Sequence, residues 1–223
     1  MAAEQAPGSP SPRPSPARGE GERQVQLNNY LRAVVSTTPV GILLAAGRGR
    51  RFDPGGRRDK LLALLPSGLS VAVAAANNLR AALPRVVAVV RPDADALASA
   101  LRNTGCEVVV CPHADEGMGT VLAYAVQHCA DAGAWVVALA DMPFIAAETY
   151  AAVVTALAKS DLVAAEFSGQ RGHPVGIGRR FLAQLLSLKG DLGARQLFAN
   201  TTACLVRVND RGTLRDIDTI ADL

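Results

Sequence analysis

From Val40 onward, apolar runs of strand length alternate with longer stretches in which apolar positions recur at helical spacing. The pattern predicts a strand at Val40–Ala45, a helix near Ser70–Ala82, a strand at Arg85–Val90, a helix near Ala94–Arg102 and a strand at Glu107–Cys111. It continues with a helix near Thr120–Ala130, a strand at Trp135–Ala140, a helix near Ala147–Lys159, a strand at Asp161–Glu166 and a short strand near Pro174–Ile177. Helices near Arg179–Leu188 and Asp191–Asn200, a last strand at Cys204–Val208 and the segment Asp216–Leu223 complete the chain. The strands are apolar throughout rather than alternating, so both of their faces are buried. That predicts an α/β fold: a mostly parallel, Rossmann-like sheet with helices on both faces. Ligands of such sheets bind at the carboxyl ends of the strands, which directs attention to the loops after Ala45, Val90, Cys111, Ala140 and Val208.

Residues 1–38 depart from this pattern. Pro7, Pro10, Pro12, Pro14 and Pro16 stand among Ser, Gly and Arg. Such a composition cannot bury enough surface to offset its chain entropy, so a disordered Pro-rich tail is expected ahead of a single domain at 39–223. At 49% hydrophobic and 19% charged residues, the 223-residue chain can bury a sizeable core. The longest uncharged stretch, Leu61 to Leu79, contains Pro66, Gly68, Asn77 and Asn78 and reads as a turn followed by a soluble helix, not a membrane span. A net charge of +3 and 4% aromatic residues give no footprint for nucleic acid. The N-terminus lacks a basic patch followed by an apolar stretch. Cys106, Cys111, Cys129 and Cys204 show no CxxC spacing and sit in apolar runs. Reduced core thiols in a cytoplasmic protein are the expectation.

The first loop carries the chemistry. Leu44-Ala45-Ala46-Gly47-Arg48-Gly49 runs a buried strand into a glycine-containing turn, and six basic residues against two acidic ones lie between Arg48 and Lys60. Small residues let backbone amides approach an anion, and a basic loop at a strand's carboxyl end suits a polyphosphate. No Gly-x-x-x-x-Gly-Lys-Ser/Thr string exists. A dinucleotide fingerprint fails because position 52 is Phe and no acid stands near Gly68. Asp141, at the end of the fourth predicted strand, is an acid placed to hold Mg²⁺ or to cap the segment after it.

Leu-Ala-Ala-Gly-x-x-x-Arg-Phe followed by Asp59-Lys60 resembles the signature of nucleotidyltransferases of the nucleotide-diphospho-sugar transferase type, most closely the molybdenum cofactor cytidylyltransferases. Gly117-Met118-Gly119, Leu139-Ala140-Asp141-Met142-Pro143, Gly172-His173-Pro174, Gly190-Asp191-Leu192-Gly193-Ala194-Arg195 and Asp216-Ile217-Asp218-Thr219 follow in the family's order. The resemblance implies Mg²⁺-dependent transfer of CMP from CTP to the phosphate of a molybdopterin-type cofactor, with a receiving molybdenum hydroxylase or its chaperone as partner. It implies a nucleotide site at Leu44, Ala45, Ala46, Gly47, Arg48, Gly49, Arg51, Lys60, Gly117, Met118, Gly119 and Asp141. Lys60, Arg51 and Asp141 are then catalytic, and Asp141 and Asp218 hold the metal, with Asp216 as the competing second ligand. His173, Pro174, Gly190, Asp191, Gly193 and Arg195 would hold the acceptor, with Asp191 alternatively capping a helix and orienting Arg195. Ala46 stands where guanylyl-transferring relatives tend to have glycine, which points to CTP over GTP. The insertion Pro54-Gly55-Gly56-Arg57-Arg58 departs from the family pattern. The nearer alternatives are a guanylyltransferase or another nucleotidyltransferase acting on a different phosphorylated acceptor, and the competing classes are a nucleotide-dependent oxidoreductase and a non-catalytic cofactor carrier.

Overall fold

The computed structural model describes residues 37–49, 51–53, 55 and 58–223. The expected tail therefore lies outside the described residues apart from positions 37 and 38, as do Arg50, Pro54, Gly56 and Arg57. The strands are β1 (Val40–Leu44), β2 (Val86–Val90), β3 (Glu107–Val110), β4 (Ala134–Leu139), β5 (Leu162–Phe167), β6 (Gln170–Gly178) and β7 (Cys204–Arg207). The helices are α1 (Val71–Ala82), α2 (Asp95–Asn103), α3 (Met118–His128), α4 (Ala147–Leu157), α5 (Leu182–Leu186) and α6 (Arg195–Asn200). Among the described residues no helix is long and apolar enough to cross a membrane.

The strands form one sheet in the order β3-β2-β1-β4-β6-β5-β7. β1 pairs in parallel with β2 and β4, placing Leu43 beside Ala88 on one side and Ala138 on the other. β6 alone runs against its neighbours β4 and β5. Alternation along each strand divides the buried side chains between two faces. Leu43, Ala88, Val90, Val136, Ala138 and Val163 join a core completed by Leu79 of α1, Leu97 of α2 and Val153 of α4. On the other face α3 packs against α5.

Strand order reverses at β1 and β4: β2 and β3 lie on one side, and the rest of the sheet on the other. A crevice at the carboxyl ends of two such strands is where open α/β sheets take their ligands. Here it is framed by hydrogen bonds from Ala45 N to Val89 O (2.9 Å) and from Ala140 N to Leu44 O (3.0 Å).

Three expectations need correction. The short strand near Pro174 is nine residues long and antiparallel, because Ser168 (φ 51°) and Gly169 (φ 80°) form a tight turn that folds β6 back on β5. The helix expected over Arg179–Leu188 is a single tight turn, Arg179–Phe181, followed by the five residues of α5. The helix expected over Asp191–Asn200 is interrupted at Gly193 (φ 48°), so α6 begins at Arg195 with Ala194, not Asp191, at its cap.

Candidate active site

The loop after β1 lies in the crevice. Ala45 is buried in the core, Ala46 is 9% exposed, and Phe52 anchors the loop's return, its N–H donating to Gly49 O at 2.9 Å. Gly49 has φ +58°, and a Cβ there would press on the Cβ of Lys60 at 3.0 Å, so the turn requires glycine twice over. Asp59 caps the following turn, accepting from Leu61 N at 2.9 Å, and this sets the direction of Lys60.

Lys60 is 8% exposed although it carries a charge. Its Nζ donates to Asp141 Oδ2 at 2.7 Å and lies 3.7 Å from Asp218 Oδ1. The other Asp218 oxygen accepts from Arg51 Nη1 at 2.5 Å. Asp141 is held at the end of β4 by its own main chain: its carbonyl accepts from Ile217 N at 2.8 Å, with the Ile217 side chain fully buried. That contact carries the C-terminal segment across the crevice and delivers Asp218. Asp222 then fixes the segment, accepting from Thr219 Oγ1, Thr219 N and Asp218 N at 2.8, 2.7 and 3.1 Å. These bonds, led by that from the Thr219 hydroxyl, hold its carboxyl below the ordinary range. Asp216 is exposed.

A cavity of about 450 Å³ opens beside this cluster, the size of a small-molecule site. Leu44, Ala46, Gly47, Arg48, Gly49, Lys60 and Asp141 line it from the β1 and β4 side; Ala114, Asp115, Gly117, Met118 and Asp191 line it from the other. Ala45, Arg51 and Gly119 do not reach the wall. Gly119 serves packing: a Cβ there would lie 2.8 Å from Gly190 O. Gly117, at φ +115°, likewise leaves room for the backbone of Gly190 and Asp191, and Gly190 N donates to Thr120 Oγ1 at 3.2 Å. The two glycine motifs therefore dock on each other, which brings Asp191 into the wall of the cavity with the loop after β1.

Arg48 forms a fork on Asp115 (2.6 and 2.8 Å) and reaches Asp93 at 3.0 Å. Hydrogen bonds to Asp115, then Asp93, raise its already high pKa. Asp93 and Asp115 were not singled out in the sequence. Their signal was their place after the apolar runs ending at Val90 and Cys111, in loops where ligands gather. His173 sits in β6 with its Nδ1 buried and without a hydrogen-bond partner, and burial pushes its pKa below the ordinary value. The peptide between it and Pro174 is cis. Arg195 is exposed at the start of α6 and forms no ion pair with another described residue.

A doubly wound sheet, a small-residue basic loop at its switch point and two carboxylates meeting on one lysine define an α/β domain of the nucleotide-diphospho-sugar transferase type. The structure of Rv0371c from Mycobacterium tuberculosis H37Rv superposes with a TM-score of 0.73 at 24% identity, covering 84% of this chain and 96% of that one. A structure of Rv0371c in complex with manganese gives 0.69 at 24% identity over 83% and 96%. Residues 41–205 match the MobA-like NTP transferase domain, and the chain belongs to that family of nucleotidyltransferases. It is also 27% identical over 192 residues to purine catabolism protein PucB of Bacillus subtilis (strain 168), covering 81% of this chain and 91% of that protein.

Proposed function

We propose that the protein transfers CMP from CTP to the terminal phosphate of a molybdopterin-type cofactor. An oxygen of that phosphate attacks the α-phosphorus in line, a new P–O bond forms, and the bond to the bridging oxygen breaks as pyrophosphate leaves with the electron pair. The protein positions and neutralises, and supplies no nucleophile of its own. The observation that carries the reading is the meeting of Asp141, Asp218 and Lys60 beside a cavity walled by Ala46–Gly49.

The donor set suits Mg²⁺. Two carboxylates converge on one point already occupied by a cationic group, and hard oxygen ligands are what the ion takes. Among the described residues no group of three or more His, Cys, Asp or Glu side chains could hold a metal. Asp141 and Asp218 would therefore hold the ion together with substrate oxygens. When bound, Mg²⁺ neutralises phosphate charge at the reacting centre. In this reading Lys60 and Arg51 turn from carboxylates to the triphosphate, and the amides of Ala46–Gly49 meet its oxygens. The Ala46 methyl narrows the base end of the cavity and favours cytosine over guanine. We assign His173, Pro174, Gly190, Asp191, Gly193 and Arg195 to the acceptor side, where the planar fork of Arg195 suits a phosphate.

The test is the melting temperature with Mg²⁺ and, separately, CTP, GTP, ATP or UTP. Ligand at a hundred times its Kd adds about 2.7 kcal/mol, a shift of roughly 5–10 °C for a domain of this size. CTP should give that shift, and Asp141→Ala should lose it. A shift with GTP alone would overturn the reading of Ala46. No shift with any nucleotide would overturn the assignment.

A further inference from the structure

The ten residues between Gly49 and Lys60 include the inserted segment, yet the two ends of this stretch must keep one spacing, since Gly49 packs on Lys60. One side chain from a different strand spans both ends. Arg91 follows Val90, the fully buried last residue of β2, and its side chain is 12% exposed. Its Nη1 donates to Gly47 O at 3.2 Å and its Nη2 donates to Asp59 Oδ2 at 2.7 Å. Asp59 is itself 19% exposed, and its other oxygen caps the turn that begins at Lys60. Arg91 Nε lies 2.9 Å from Asp93 Oδ1, and Asp93 in turn meets Arg48. The chain of contacts runs from Asp115 through Arg48, Asp93 and Arg91 to Asp59, and so joins the loops after β1, β2 and β3 to the turn that bears Lys60.

We infer that Arg91 is a positioning residue for nucleotide binding: it sets the distance between the Ala46–Gly49 amides and the Lys60 ammonium. The inference rests on the reading of that loop and lysine as the triphosphate site. A guanidinium suits the task because two N–H groups on separate nitrogens lie in one rigid plane, so a carbonyl and a carboxylate are held at a fixed separation. Lysine supplies a charge at a single point and cannot bridge the two acceptors in the same way. A main-chain loop whose ends are pinned by such a fork also tolerates added residues between them at small entropic cost, since closure entropy grows only slowly with length. The insertion at 54–58 is thus compatible with an unchanged Lys60 position.

The experiment compares wild type with Arg91→Met, Arg91→Lys, Lys60→Met and the Arg91→Met/Lys60→Met double variant. Mg–CTP affinity is measured by calorimetry, and amide hydrogen exchange is followed over residues 47–49 and 59–62 without ligand. Arg91→Met should weaken CTP by about tenfold, within the usual range of coupling between sites, and speed exchange at both segments. On the Lys60→Met background it should add less than about a further twofold, because its effect passes through that lysine. Arg91→Lys should recover the melting temperature but not the CTP affinity. Asp59→Asn keeps the capping oxygen and removes the ion pair. It should reproduce the Arg91→Met exchange pattern and replaces that variant if Arg91→Met does not fold. Unchanged exchange, or additive losses in the double variant, would overturn the inference. Faster exchange in a protein whose wild type binds no nucleotide would overturn the reading of the site and leave Arg91 a purely structural tie.

Discussion

Replacing Lys60 by methionine removes one charge at nearly constant volume from the centre of the cluster, and the structure gives the size of the effect. Nζ lies 2.7 Å from Asp141 Oδ2 and 3.7 Å from Asp218 Oδ1, with the three side chains 10%, 25% and 30% exposed. At an effective dielectric of about 20 the two attractions are about 6 and 4–5 kcal/mol before desolvation is set against them. Breaking a fully buried pair costs about 3–5 kcal/mol, and the partial exposure of both carboxylates brings this down to about 2–3 kcal/mol. Arg51 remains on Asp218, so one negative charge is left over at Asp141. At roughly 2–4 °C per kcal/mol, Lys60→Met should melt about 4–12 °C below wild type without divalent cation. Adding MgCl₂ or MnCl₂ should restore much of that loss, because the ion takes the place the ammonium left, whereas wild type should respond little to either salt in the absence of nucleotide. Scanning calorimetry of both proteins with and without each salt decides it. A variant as stable as wild type, or one whose loss no divalent cation recovers, refutes the reading of Asp141 and Asp218 as a cation site.

Gly119→Ala should lower stability by about 1–3 kcal/mol, read as a shifted urea midpoint at constant slope, because the new methyl would meet Gly190 O at 2.8 Å and Lys189 O at 3.0 Å. Cys106, Cys111 and Cys129 are buried, and burial pushes their thiols up, Cys129 to about 12, whereas Cys204, expected in the core, is exposed on the edge strand β7. Ellman's reagent should therefore modify one thiol quickly in the native protein, and Cys204→Ser should abolish that phase. Burial depresses the His173 pKa from its ordinary 6.5, so just below that pH the unfolded chain binds more protons than the native one. Stability should then fall as pH drops from about 6.5 toward 5, and His173→Gln should flatten that part of the profile of denaturant midpoint against pH. A wild-type profile as flat as the variant's would refute it.

What the chain discloses locally and what it withholds can be separated residue by residue. β2, buried at every position, reads as a two-sided strand from its valines alone. The direction of β6 does not, since Val175 and Ile177 look the same in either orientation. The information lay in Ser168-Gly169, a two-residue turn with both φ values positive, which only a hairpin uses. The meeting of Asp141 and Asp218 was anticipated through the order of motifs, but its geometry depends on a bond between Ile217 N and Asp141 O, residues 76 positions apart, which no spacing rule contains. Asp191 shows the same limit: its motif does not reveal that the docking of Gly190 on Gly119 brings it into the wall shared with the loop after β1.

Charge is where reading along the chain misleads most, and the reason is physical. The stretch from Arg48 to Lys60 carries four more basic than acidic residues, yet Arg48, Arg51 and Lys60 are each already paired with carboxylates. Arg48 is engaged by Asp115 and Asp93, Arg51 by Asp218, and Lys60 by Asp141 and Asp218, all carboxylates from other loops at the same sheet edge. On the proposed reading, an incoming triphosphate would compete with aspartates for each of these groups. The free energy of binding is the difference between two sets of ion pairs, not the sum of one. Such an exchange keeps the buried Lys60 satisfied in the free protein and makes affinity sensitive to where the carboxylates go once displaced. On the proposed reading, Asp141 and Asp218 would hold a divalent ion arriving with the nucleotide, which would free Lys60 and Arg51 for phosphate. Asp93 and Asp115 have no such substitute. The pairing of Arg48 should therefore oppose nucleotide entry, and Asp115→Asn should tighten binding while Asp141→Asn abolishes it; calorimetric titration of CTP into both variants checks the opposite signs.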